Sequence, residues 1–150
     1  MRVSVTDRRL PLARFLRAGY RSCISAQHVT HGVQMVIVRH EANKVHAKVV
    51  EANGVVTTAG IIPSDLTRDI KGQTAEVLAE IDRLLALCGT NKSRITSASI
   101  WLNDIRHRES MNEVWIDWVG GEANAPVRAC VEAKLVDPRM LVEIQVIAVK

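Results

Sequence analysis

From residue 35 onward, stretches with two-residue alternation and stretches with three-to-four-residue spacing follow one another along the chain. Met35–His40 (MVIVRH) and Val45–Glu51 (VHAKVVE) read as strands, parted by Ala42-Asn43-Lys44. Asn53-Gly54 marks a tight hairpin, because a two-residue type I′ turn needs positive φ at both positions. Val55–Ala59 makes a third strand ending at Gly60, and Pro63-Ser64-Asp65 interrupts the chain. Asp69 predicts a helix N-cap, since its carboxylate can accept from a free backbone N–H. Val77, Leu78, Ile81, Leu84, Leu85 and Cys88 then fall on one helical stripe, and Gly89 is placed to end it.

Ile95–Leu102 (ITSASIWL) reads as a strand, and Asp104 predicts the cap of a second helix. That helix carries Met111, Val114, Trp115, Trp118 and Val119 on one stripe and stops at Gly120-Gly121. In the next strand Val127, Ala129, Val131, Ala133 and Leu135 point one way, and Arg128, Cys130, Glu132 and Lys134 the other. Val136-Asp137-Pro138-Arg139 predicts a turn into a last strand in which Val142, Ile144, Val146 and Ala148 share a face. The order βββαβαββ predicts an α+β two-layer sandwich, with two amphipathic helices on one face of a six-stranded mixed sheet. The other face mixes Ser97, Ser99 and Trp101 with Ile147 and Val149 beside Glu143. Such a half-apolar surface predicts burial against another subunit.

The pattern does not extend into residues 1–34, which hold six arginines and one acid, Asp7. They form a basic extension ahead of a 35–150 domain. It reads as a disordered tail, a targeting segment, or sequence upstream of a start at Met35. Without it, 14 basic and 15 acidic residues remain, so the formal charge of +4 does not belong to the folded body. A nucleic-acid surface needs basic charge on the fold itself, which argues against that partner. No apolar run approaches the roughly 18–20 residues that span a bilayer, so no membrane partner is expected. Cys23, Cys88 and Cys130 are odd in number and far apart, which points to a reducing, cytoplasmic compartment.

The chain has no glycine-rich phosphate loop and no nucleophile elbow. Cys23, His28 and His31 lack a fourth ligand, and the break at 42–44 separates His40 from His46, so no metal is expected. The informative stretch is Pro126–Glu143. Arg128 is either a surface cation or a bidentate clamp for a carboxylate, for which its planar fork is suited. Cys130 is either a small packing residue or part of the same face's chemistry. Glu143 is either a carboxylate at a solvated edge or one that orients a water for attack. If the last two strands formed a hairpin around Asp137-Pro138, Arg128 would face Ile147 and Glu132 would face Glu143. Arg128 and Glu143 would then stand about four residues apart, or ~13 Å. One small substrate could touch both only at an interface between chains.

In this stretch, and across Met35–Lys150, the chain resembles the Rid family, reactive-intermediate deaminases of the YjgF type. The resemblance rests on Thr58-Ala59-Gly60, Gln73-Thr74, Asn112 in Met-Asn-Glu-Val-Trp, Pro-Val-Arg-Ala-Cys-Val-Glu at 126–132 and Val-Glu-Ile-Gln-Val-Ile-Ala at 142–148. It implies a chorismate-mutase-like fold, a homotrimer with clefts between subunits, and no cofactor. It implies hydrolysis of enamines and imines such as 2-aminoacrylate and 2-iminobutanoate to 2-oxo acids and ammonia. Such species leave pyridoxal-phosphate enzymes acting on serine or threonine. Arg128 matches the carboxylate-binding arginine and Glu143 the water-positioning glutamate. Ala59, Gly60 and Cys130 match cleft positions. His46 stands where active deaminases often carry tyrosine, Ile61 where glutamine often follows the glycine, and Val127 where many members have alanine. Two other functions stay open: a non-catalytic protein that binds small carboxylates, and an RNA-cleaving or translation-inhibiting relative.

Overall fold

The computed structural model describes residues 35–150; the expectations for residues 1–34, Cys23, His28 and His31 among them, lie outside the described residues. The elements are β1 (Ile37–Ala42), β2 (Ala47–Ala52), β3 (Val55–Thr58), α1 (Ile70–Leu87), β4 (Ile95–Leu102), α2 (Arg108–Val119), β5 (Val127–Glu132) and β6 (Val142–Val149). They follow the expected order βββαβαββ. The six strands make one mixed sheet ordered β1-β2-β3-β6-β4-β5. The β4–β5 pair is parallel and the other pairs are antiparallel.

Local chemistry accounts for the boundaries. Asn53 and Gly54 both take positive φ, 50° and 77°, which matches the right-handed twist of the β2–β3 hairpin. The Asn43 carboxamide oxygen accepts from the backbone N–H groups of Val45 (2.7 Å) and His46 (3.0 Å). This turn holds those two residues out of the ladder, so β2 starts at Ala47 and not at Val45. Asp69 caps α1 by accepting from Gly72 N at 2.8 Å. Gly89, at φ 71°, lets the chain leave the helix while Thr90 N–H reaches back to the Leu85 carbonyl. Asp104 does not cap α2 itself. Its carboxylate accepts from Arg106 N and caps a short 3-10 turn, Ile105–His107, that leads into α2.

The sheet buries one face. Val49, Val56, Ala98, Ile100, Leu102, Val142, Ile144, Val146 and Ala148 form a core with the α1 stripe Val77, Leu78, Ile81, Leu84 and Leu85, and with Met111, Trp115 and Val119 of α2. Alternation explains the choice, since each of these strand residues is flanked by outward-facing neighbours. No helix among the described residues is long and apolar enough to cross a membrane.

The expected β5–β6 hairpin is absent. β4 lies between the two strands, with Ala98 opposite both Arg128 on β5 and Val146 on β6. α2 carries the chain from β4 to a parallel neighbour, and residues 133–141 carry it back past the end of β4 to the far side. The Asp137-Pro138 turn therefore belongs to this long return and is not a hairpin tip.

Gln73 locks that return to the helix. Fully buried, it donates to the carbonyls of Arg68 (3.1 Å) and Arg139 (3.0 Å) and accepts from Leu141 N (2.8 Å). Gln73→Ala strands these backbone groups away from water. It is expected to destabilise the fold by about 2 kcal/mol, read as a lowered denaturant midpoint. An unchanged midpoint would show that the three bonds are dispensable.

Candidate active site

β6 alternates, so Val142 and Ile144 go into the core and Glu143 goes to the open face. Beside it, Ile61 exchanges two backbone hydrogen bonds with Ile144, at 2.8 and 3.0 Å. This bridge lays Gly60 directly against the Glu143 side chain. A methyl group on Gly60 would overlap Glu143 Oε1 and lie 2.8 Å from its Cδ. Gly60 is thus a glycine because of close approach, not because of a left-handed backbone.

The two residues border a cleft of about 290 Å³ that His46, Lys48, Ala59 and Glu80 also line. Ala59 is fixed by its N–H to the Lys48 carbonyl, 2.8 Å away. Four of the six residues singled out in the sequence, His46, Ala59, Gly60 and Glu143, therefore come together. Lys48 and Glu80 were not foreseen. Lys48 Nζ donates to Glu80 Oε1 at 3.0 Å. Hydrogen bonds from Arg83 first, and then from Lys48, hold the Glu80 carboxyl down at about 2 despite its partial burial. A lone helix glutamate gives no sign in sequence that a β2 lysine will meet it.

Arg128 and Cys130 do not join this cleft. In register they stand opposite Ala98 and Ile100, both buried, so they occupy the helix-covered side of edge strand β5. The Arg128 guanidinium carbon lies 5.3 Å from the centre of the Trp115 ring of α2, a cation–π contact. Arg128 makes no ion pair among the described residues. Glu143 and Val131 both pair with Trp101, from opposite sides. Arg128 is three residues from Val131 and two strand spacings from β6, so its Cα is roughly 14 Å from that of Glu143. The two side chains also leave the sheet on opposite faces. The separation expected from a hairpin thus exists, but for another reason: an intervening strand and a change of face.

Cys130 packs against the core beside Arg128. Burial pushes its thiol up, partly offset by the Arg128 and Arg108 guanidinium groups. Since the thiolate is the nucleophile, iodoacetamide should alkylate Cys130 more slowly near about pH 8 than it alkylates a free thiol. Mass spectrometry over a time course checks this, and labelling faster than the free thiol would contradict it.

The open face presents Ser97, Ser99, Trp101 and Gln145 with the more exposed Val131 and Ile147. Val127, at the end of β5, is 72% exposed. This is the mixed apolar surface expected from the alternation.

A family model described as Endoribonuclease L-PSP matches residues 36–150. A RutC family protein of Haemophilus ducreyi is 39% identical over 113 residues, 75% of this chain and 96% of that protein. The RutC family protein YoaB of Escherichia coli K12 is 40% identical over 114 residues, 76% of this chain and 98% of that one. Among solved structures, a YjgF-family protein of Neisseria meningitidis superposes with a TM-score of 0.74 at 40% identity, covering 77% of this chain and 96% of its own.

Proposed function

The chain belongs to the endoribonuclease L-PSP family, also named YjgF or Rid, and on that footing we propose that it hydrolyses reactive 2-imino and enamine acids to 2-oxo acids and ammonia. The observation that carries the reading is that one chain holds a carboxylate, Glu143, bordering a cleft and, on its β5 edge, a guanidinium, Arg128, with no ion pair among the described residues. The substrates in view are 2-aminoacrylate and 2-iminobutanoate. The site forms between two protomers of a homotrimer: Glu143, Gly60, Ala59 and His46 come from one, and Arg128 and Cys130 from its neighbour. Placement of the two groups on opposite faces supports this assembly, because a second copy can present its β5 edge where one chain cannot.

The chemistry asks little of the protein. An enamine first tautomerises to its imine, whose carbon is already electrophilic. Arg128 clamps the substrate carboxylate with two parallel N–H donors. Glu143 orients a water and takes its proton as the C–O bond forms and the imine electron pair moves to nitrogen. Glu143 passes that proton to the nitrogen, giving a neutral carbinolamine. The C–N bond of this species then breaks as the hydroxyl proton moves to the departing nitrogen, so ammonia leaves and the 2-oxo acid remains. Holding the water and the carbon in contact supplies most of the acceleration. No metal or cofactor enters this scheme. The substrates arise where pyridoxal-phosphate enzymes release them.

RNA cleavage, the activity in the family's description, has less support. Residues 35–150 carry 14 basic against 15 acidic residues, without the excess cation that backbone binding needs. The test generates 2-iminobutanoate in place and follows 2-oxobutyrate release. Acceleration over the uncatalysed rate supports the proposal. Saturable 2-oxobutyrate binding without turnover would replace it with a carboxylate-binding role.

A further inference from the structure

We propose that His40, Glu51 and Cys88 form a site for a divalent cation of borderline softness, zinc(II) being the ion that fits, away from the cleft described above. The three residues come from β1, β2 and the C-cap of α1. His40 pairs with Val49 and Glu51 with Val56, both buried, so the two side chains project to the helix-covered face, where α1 ends. Their ligand atoms, with Cys88 Sγ, all lie within 4.8 Å of one another. His40 Nε2 and Glu51 Oε1 are 2.6 Å apart. Donors around a tetrahedral zinc stand roughly 3.3–3.8 Å apart, so small side-chain shifts would complete the set.

The donor types select the ion. Nitrogen, sulfur and oxygen together suit zinc, whereas magnesium and calcium take oxygen. One feature beyond the donors favours a cation here: α1 has no basic residue in its last turn, so the partial negative charge at its C-terminus lacks a cation from its own helix. Lys150 Nζ pairs with the other oxygen of Glu51 and so orients that carboxylate, and a bound ion would share it with this ammonium. Cys88 is 2% exposed, and the side chains of His40 and Glu51 are 22% and 15% exposed, so an ion enters from the histidine side. Burial pushes the free Cys88 thiol up to about 11. Binding therefore breaks the S–H bond, forms the S–metal bond and releases a proton to solvent. One thiolate and one carboxylate then balance the ion's charge, and water fills the fourth position. Along the sequence His46 is the nearest histidine to His40, and only the fold brings Glu51 and Cys88 beside it.

The test uses the full chain carrying Cys23→Ser and Cys130→Ser, so that Cys88 is its sole thiol, with cobalt(II) alone as the probe. One equivalent should bind and produce a near-ultraviolet thiolate-to-cobalt charge-transfer band, which zinc removes by displacement. The band should vanish in Cys88→Ser. Affinity should fall at least about tenfold in His40→Ala. Absence of the band, its survival in Cys88→Ser, or unchanged affinity in His40→Ala overturns the proposal. Should Cys88→Ser not fold, His40→Ala decides alone, because it alters a partly exposed residue of an edge strand.

Discussion

Arg128→Ala is expected to lower kcat/KM for 2-iminobutanoate on the order of 10²–10³-fold. The side chain is half-buried, rests on Trp115 and has no carboxylate partner among the described residues. A substrate carboxylate would supply that partner through two charge-assisted hydrogen bonds. Truncating one side of such a desolvated pair typically costs about 2–5 kcal/mol. Arg128→Lys keeps the charge but loses the fork, so it should recover only part of the rate. The same substitution to alanine also removes a cation–π contact, worth about 1 kcal/mol of stability. A denaturant curve separates that loss from the kinetic one. Equal rates for wild type and Arg128→Ala would remove the arginine from the reaction and with it the deaminase proposal.

Gly60→Ala should cost about 10²-fold in the same assay while leaving the sheet folded. The added methyl overlaps Glu143 Oε1, and the carboxylate must swing away from its place at the cleft. Misplacing a group that positions a reactant by about 1 Å can cost 10²-fold. A double-mutant cycle tells displacement from general disruption. In a Glu143→Ala background there is nothing left for the methyl to displace, so Gly60→Ala should add little further loss. Full additivity of the two effects would mean that Gly60 acts by some route other than Glu143.

The elements that local chemistry specifies were legible in the sequence. The Asn53-Gly54 turn, the Asp69 cap and the stripe Val77 to Leu85 stand where they were read, because each depends on residues close in the chain. Alternation also assigned the faces of β6, and with them the outward direction of Glu143. Partner choice between strands was not legible. Arg128 and Cys130 alternate in the same way whether β5 lies antiparallel to β6 or parallel to β4, and Asp137-Pro138 suits a hairpin tip as well as a longer return. Only the three-dimensional route of residues 133–141 decides. The same limit hid the Lys48–Glu80 pair and the meeting of His40 with Cys88, contacts between residues 32 and 48 positions apart.

The position of β6 bears on how the protein is made. It is the last strand in chain order, yet it lies between β3 and β4 and joins what would otherwise be two separate ribbons, β1-β2-β3 and β4-β5. While Val142–Val149 is still in the ribosomal tunnel, both ribbons have an unpaired edge and α1 has only part of its floor. The nascent chain must keep those edges apart from other chains until Val142–Val149 has emerged, because the sheet cannot close before β6 is inserted. The folding rate should be limited by closure of this long-range pairing and not by the early helices.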